Sequence, residues 1–267
     1  MTEVAADSCE LERRLATARS VVAVSPHLDD AVLSAGAALA RCAAQGARVV
    51  VVSLFAGDAP DVLSPAATRH HQRCSLPWHA VALRREEDHR AMVALGAEPI
   101  HGDFVDAVYR RRPDGGWVCE SDSDLFGLPP EDDRLVDSML ATMRAAFERF
   151  QPDVVLGPAG VGNHVDHALT RDVAIHAAQG FPLLLWADQP YAADSPSVSE
   201  NEYVRLPDDR GAMAIKLAAA ACYGSQLPML WPDGSWRRAL SAAGEAFCSL
   251  SSDVVSRANS LRMRPWP

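Results

Sequence analysis

The sequence predicts a single α/β domain over residues 1–267, with a Rossmann-like, mostly parallel sheet, helices on both faces and long loops at the carboxyl edge of the strands. Three observations lead there. Short apolar runs alternate with segments of helical spacing along most of the chain, the pattern of buried parallel strands covered by helices. With 267 residues, 48% of them hydrophobic, the chain can bury a large core without disulfide or metal staples. Its charged fraction of 22% is ordinary for a globular protein, and no internal repeat or low-complexity tract interrupts the alternation.

Residues 20–25 (SVVAVS) form the first apolar run, ending at Pro26, and residues 48–55 (RVVVVSLF) form the second, ending before Gly57. Between them, 31–46 is rich in Ala and Leu at helical spacing and closes on Gly46, where a glycine suits the left-handed residue that follows a helix. The unit reads strand, helix, strand. The alternation continues with a helix over 83–95 closing on Gly96, a strand near 98–104, a helix over 132–150, a strand over 153–157, a helix over 167–179 and a strand over 183–187. Three segments, near 57–82, 109–130 and 188–201, break the pattern; the first two are rich in Pro or Gly. Each follows a strand directly or after a few residues. Open parallel sheets bind ligands outside the carboxyl ends of their strands, so these insertions are expected to wall a pocket.

Composition excludes several classes. Twenty-five Lys and Arg against 35 Asp and Glu give a formal charge of -10, the wrong sign for neutralising phosphates, so no nucleic-acid partner is expected. No apolar stretch approaches the roughly 20 residues of a membrane span. The first fifteen residues, MTEVAADSCELERRL, lack a basic segment followed by an apolar one, which predicts a cytoplasmic protein. Cysteines 9, 42, 74, 119, 222 and 248 show neither a CxxC pair nor zinc-knuckle spacing and are expected to be reduced and structural.

Chemistry concentrates at two strand ends. A nucleotide-binding version of this fold needs glycines between the first strand and its helix; here the position reads Ser25-Pro26-His27-Leu28-Asp29-Asp30. Adjacent carboxylates packed at a strand end repel unless a proton or cation lies between them. The second cluster, Gly157-Pro158-Ala159-Gly160-Val161-Gly162-Asn163-His164-Val165-Asp166-His167, follows the run 154–156 and places two histidines three apart at a helix start. Catalytic zinc takes three ligands from His, Asp and Glu and keeps a position open. His27, Asp30 and His167 supply such a set, one that Fe(II) also accepts. Asp29 is then free as a proton acceptor, His164 can protonate a leaving amine or stabilise an oxyanion, and Asp166 can set the tautomer of His164. The chemistry expected is metal-assisted hydrolysis.

With these motifs in hand, the sequence resembles the LmbE-like (PIG-L) family of zinc-dependent de-N-acetylases, whose signature is PHxDD near the N-terminus and HxxH later. Here these are Pro26-His27-Leu28-Asp29-Asp30 and His164-Val165-Asp166-His167. Weaker matches follow in order: Arg84-Arg85-Glu86-Glu87 running into Ala91 and Leu95-Gly96, then Lys216 running into Tyr223-Gly224-Ser225-Gln226, so that residues 20 to 250 are covered. The resemblance implies zinc on His27, Asp30 and His167, Asp29 as general base and His164 as the charged partner of the tetrahedral intermediate. It further implies Arg84 as a substrate contact and Asp106 as a carboxylate for sugar hydroxyls. Family members commonly carry Pro and Glu where this chain has Leu28 and Ala31, so one carboxylate near the site is lost.

The function expected is removal of an N-acyl group, most simply acetyl, from an amino sugar or a glycosylated small molecule, with natural-product biosynthesis a plausible setting. An amidase acting on a thiol conjugate or another non-sugar amide, and a non-catalytic metal- or sugar-binding module, are the alternatives. His70 and His71, beside Arg69 and Arg73, read as solvated loop or as a cationic pocket wall. His79, His89, His101 and His176 read as structural or exposed, and Trp78, Trp117, Trp186, Trp231 and Trp236 as core anchors or sugar-stacking faces.

Overall fold

The computed structural model describes residues 3–74, 80–127, 133–195, 198 and 202–249. Over them the chain forms α1 (Glu3–Thr17), β1 (Ser20–Ser25), α2 (Asp30–Ala44), β2 (Arg48–Ser53), α3 (Pro65–Arg73), α4 (Ala80–Leu95) and β3 (Glu98–His101). There follow α5 (Asp133–Phe150), β4 (Val154–Pro158), α6 (Val165–Ala177), β5 (Leu183–Trp186), β6 (Val204–Arg205), α7 (Arg210–Ala220), α8 (Leu227–Leu230), α9 (Trp236–Ala243) and β7 (Ala246–Ser249). The strands build one sheet in the order β3-β2-β1-β4-β5-β7-β6. Its first five strands are parallel, with Ala23 of β1 opposite both Val51 of β2 and Leu156 of β4.

Val21 and Ala23 of β1 face one apolar layer, with α2, Tyr223, Trp231 and Trp236, whereas Val22 and Val24 face the other, with Met139, Met143 and Phe147 of α5 and Leu169 and Val173 of α6. Such alternation, apolar on both sides, is what a central parallel strand requires. Helix α2 is buried over most of its length, including Asp30, Ser34 and Gly36, because α7 covers the side it would otherwise expose. A helix apolar all round belongs in the interior, as its Ala-rich sequence anticipates.

The strand order places β1 and β4 side by side while the chain winds outward from them in both directions. That is the topological switch point, where crossovers on opposite faces leave a crevice at the strand ends. Both motif clusters open into it, one after β1 and one after β4.

The strand and helix expectations hold to within a few residues at their ends. The antiparallel margin was not anticipated: β7 pairs with β5 and β6 in antiparallel sense, and α1, α7, α8 and α9 were not expected either. The 57–82 insertion contains α3, started by Ser64, whose side chain accepts from the Ala67 N–H, with Pro65 as first helical residue. The 109–130 and 188–201 insertions contain 3₁₀ turns at Asp122–Leu125 and Tyr191–Asp194. Trp78 and His79 lie outside the described residues.

Lys216 joins the C-terminal elements to the core. Its Nζ lies 2.8 Å from Glu245 Oε1, both groups are buried, and Glu245 also accepts from the N–H groups of Ala37 (2.7 Å) and Ala38 (2.8 Å) in α2. Gly36 makes room: a Cβ there would stand 2.9 Å from Lys216 Cγ. Removing one partner of a buried pair leaves the other charge uncompensated, a loss of about 3–5 kcal/mol. Glu245→Ala is therefore expected to lower the free energy of urea unfolding by about that amount; a loss below about 1 kcal/mol, the range of exposed pairs, would contradict the assignment.

Candidate metal centre

The loop after β1 is fixed before any ligand is considered. Ser25 Oγ donates to the His27 carbonyl and accepts from the Ala31 N–H (3.0 Å), Pro26 O accepts from Phe55 N–H (2.9 Å), and Tyr223 OH donates to Leu28 O (2.9 Å). Asp30 opens α2, and its Oδ2 accepts from the His27 N–H at 2.8 Å. Across the crevice a tight turn over 160–163 leads into α6, with His164 as its N-cap and His167 one turn further on.

Three ligand atoms converge. His27 Nδ1 lies 3.1 Å and His167 Nε2 3.2 Å from Asp30 Oδ2. All three residues are buried and form a set able to hold a metal ion. Tetrahedral zinc with bonds of about 2.0–2.1 Å has ligand–ligand edges of roughly 3.3 Å. The two edges at Asp30 Oδ2 match that spacing, and two imidazoles with one carboxylate are a donor set suited to a divalent cation.

The second nitrogen of each imidazole is held by a carboxylate. His167 Nδ1 donates to Asp188 Oδ1 at 2.8 Å, and Asp188 Oδ2 is itself fixed by the Val161 N–H at 2.9 Å. His27 Nε2 faces Asp166 Oδ2 at 3.2 Å and Asp106 Oδ2 at 3.4 Å. Asp166 Oδ2 also accepts from Ala107 N–H (2.9 Å), while Arg110 Nη2 approaches Asp166 Oδ1 to 2.6 Å without hydrogen-bond alignment, so that contact is Coulombic. Holding the proton on the outer nitrogen leaves a lone pair on the inner one, the tautomer a metal needs. Burial opposes charge on His27, but Asp106, Asp166 and Asp30 outweigh it and raise its pKa well above the ordinary value. His167 behaves alike, raised to about 10 by Asp30 and Asp188 against burial. Burial likewise opposes ionisation of Asp30, yet His167 and His27 hold its pKa well down.

The other predicted residues surround this set. Asp29 is buried beside the ligands, its Oδ1 3.2 Å from Arg84 Nη2; burial raises its pKa, Arg84 counters, and Asp30 adds to the rise. Arg84 is also buried, and its Nε has no partner among the described residues. Asp106 Oδ1 accepts from the Val108 N–H at 3.1 Å. His164 Nδ1 accepts from the Asp166 N–H at 3.3 Å, which leaves its N–H at Nε2, and burial, with His167 and His27 adding to it, lowers its pKa to about 3. The main chain of Asp166 engages His164, while its carboxylate faces His27 and Arg110.

Asp188 and Arg110 were missed by sequence reasoning. The available signal for Asp188 was its place at the carboxyl end of β5; Arg110 had none. The weaker motif matches turn out to meet in space: Glu87 accepts from Ser225 N–H (2.9 Å) and Oγ (2.6 Å), and Tyr223 OH lies 2.8 Å from Asp88 Oδ1, while Asp88 Oδ2 holds His101 Nε2. His71 is tied to Tyr109 OH at 2.7 Å, burial with Arg84 lowers the pKa of His70 to about 4, and Arg69 and Arg73 pair with Asp122. Trp186, Trp231 and Trp236 are buried in the core. Replacing a carboxylate that orients a ligand histidine typically costs 10- to 100-fold in metal affinity. Asp188→Asn is expected to weaken zinc binding by about that factor in a chelator competition, and unchanged affinity would remove its orienting role.

Known proteins resemble this chain in sequence and fold. The family model described as GlcNAc-PI de-N-acetylase (PIG-L) matches residues 22–178, more than half of the chain and both motif clusters. A 1D-myo-inositol 2-acetamido-2-deoxy-alpha-D-glucopyranoside deacetylase of Corynebacterium diphtheriae is 30% identical over 63% of this chain, which spans only 56% of that relative's length. A 2'-N-acetylparomamine deacetylase of Streptomyces fradiae is 30% identical over 81% of the chain and 76% of the relative. The zinc-inhibited form of teicoplanin deacetylase Orf2 superposes with a TM-score of 0.77 at 31% identity, covering 86% of this chain and 97% of that one. With its signature residues gathered at one switch point, the chain belongs to the PIG-L (LmbE-like) family of de-N-acetylases.

Proposed function

We propose that the protein is a metal-dependent amidohydrolase that removes an N-acetyl group from an amino sugar within a small, glycosylated molecule, with zinc as the metal and Fe(II) as the alternative for the same ligands. The observation that carries this reading is a second buried carboxylate, Asp29, beside the His27–Asp30–His167 set yet outside it. A site that only bound metal or sugar would have no use for a desolvated carboxylate held by an arginine.

When bound, the cation supplies a Lewis acid that polarises the amide carbonyl and lowers the pKa of water. The chain's own groups do the rest. Asp29 takes the proton of the attacking water, and its burial keeps its pKa raised toward the range useful to a general base. Arg84 holds Asp29 in place through Nη2. His164, neutral and oriented by the Asp166 N–H, presents Nε2–H to the oxyanion that develops as the carbonyl becomes tetrahedral. The proton collected by Asp29 is then available to the departing amine. Asp106, fixed through Oδ1 by the Val108 N–H, faces His27 through Oδ2 and would share that oxygen with a sugar hydroxyl. Leu125 and Phe126 of the second insertion and Tyr191 of the third belong to the loops that would wall the substrate.

Release of acetate from a panel of N-acetylglucosamine conjugates by the zinc-loaded protein tests the activity directly; no release from any of them would reject the reading. His27→Ala, Asp30→Ala and His167→Ala are each expected to lose metal and activity together, and stoichiometric zinc in any of these variants would remove that residue from the ligand set. Asp29→Asn is expected to keep its metal and lose about 100- to 10,000-fold in turnover. Wild-type turnover by metal-loaded Asp29→Asn would leave that residue without a chemical role.

A further inference from the structure

Among the described residues, Val62, Val93 and Phe126 are the large hydrophobic side chains left exposed, and Phe126, at 47% exposure, is the one that borders the metal centre. Its ring meets the His164 ring edge-on, 5.8 Å between centroids, and the Tyr191 ring at 5.9 Å; Tyr191 in turn lies edge-on to His167 at 5.8 Å. We propose that Phe126 and Tyr191 form an aromatic platform for an apolar or aromatic aglycone carried by the amino sugar. The inference rests on the deacetylase reading and adds the kind of group its substrate bears.

The platform is built rather than incidental. Phe126 is held to the site by an antiparallel bridge to His164 and by the Gly127 N–H donating to Asn163 O at 2.9 Å. The turn before it is closed by Asp124, which accepts from the N–H groups of Ser121 (2.8 Å) and Glu120 (3.0 Å). Asp122 in that turn is anchored to α3 by Arg73 at 2.6 Å. The exposed ring is thus not a loose loop tip. Tyr191 has its own accommodation: Gly162 has φ +85°, and a Cβ there would stand 2.6 Å from Tyr191 Cβ and Cγ. Any other residue at 162 would have to displace the ring.

The chemistry of the occupant follows from what the platform lacks. A phenyl ring makes no hydrogen bond to a sugar hydroxyl; Asp106 and Arg84 offer those groups elsewhere in the site. Covering an exposed ring is favourable for an apolar face, and aromatic pairs prefer the offset and edge-on arrangements already present. An acetyl group, two carbons reacting at the metal, is too small to cover two rings. With the sugar's hydroxyls and the acetyl group directed to the metal centre, the apolar surface proposed for the platform is that of the aglycone.

The test compares methyl and 2-naphthyl glycosides of N-acetylglucosamine, and a methyl glycoside bearing an N-hexanoyl group, on the zinc-loaded protein. The naphthyl glycoside is expected to have a KM roughly tenfold below that of the methyl glycoside. Phe126→Ala should raise the naphthyl KM by about that factor more than the methyl KM, with Phe126→Trp restoring the preference. If Phe126→Ala lowers kcat for both glycosides alike and leaves their KM ratio unchanged, the ring only packs against His164 and the proposal fails. It also fails if affinity follows acyl length instead of aglycone. Should wild-type protein hydrolyse none of these compounds, the deacetylase reading is what falls. Calorimetric binding of 2-naphthyl glucosaminide to wild type and to Phe126→Ala then still decides the platform: a roughly tenfold weaker variant supports it, and equal affinities overturn it.

Discussion

Asp30 Oδ2 receives the His27 N–H at 2.8 Å and stands 3.1 Å from His27 Nδ1 and 3.2 Å from His167 Nε2. Through that one oxygen the loop after β1 meets the helix after β4, two segments separated by well over a hundred residues and adjacent only because β1 and β4 pair in parallel. Everything else at the centre is arranged around this convergence. Asp29, Asp106 and Asp166 add carboxylates within the same buried region, and carboxylates so placed need positive charge among them. Arg84 and Arg110 answer two of them from outside; the middle is left to the imidazoles and to a cation.

Holding a cation between two imidazoles would be a problem of orientation, and the chain orients the two rings through opposite nitrogens. His167 is turned by Asp188 at Nδ1, so its Nε2 points inward, whereas His27 is turned by Asp166 at Nε2, so its Nδ1 does. The carboxylates are themselves anchored, Asp188 by the Val161 N–H and Asp166 by the Ala107 N–H and Arg110. A ligand set pre-positioned in this way spends little binding energy on ordering its own side chains. The same logic reaches the turn over 160–163, whose backbone serves Asp188 through Val161 and gives Tyr191 room at Gly162.

Much of this was legible in the sequence because the signals were local. The runs over 20–25 and 48–55 are apolar on both faces, and PHxDD and HxxH keep the ligands and their chemistry within a few residues. What escaped depends on tertiary geometry. Asp188 sits in a segment that reads as variable loop, and nothing in its spacing ties it to His167. The spacing does not show the contacts of Asp166: two residues from His164, its main chain reaches that imidazole, while its carboxylate faces His27 and Arg110. For His164 the motif gives the residue but not its surroundings, and it is burial that lowers its pKa. The short β6 and β7 could not be separated from loop by four or fewer residues of pattern.

The central claim is that two oppositely oriented imidazoles and one carboxylate hold the metal. X-ray absorption at the zinc edge of the loaded protein tests it most directly. The account predicts a first shell of nitrogen and oxygen at about 2.0–2.1 Å, with outer-shell scattering from two imidazoles and no sulfur. A shell containing sulfur, or one in which Asp30→Ala leaves the spectrum unchanged, would contradict it.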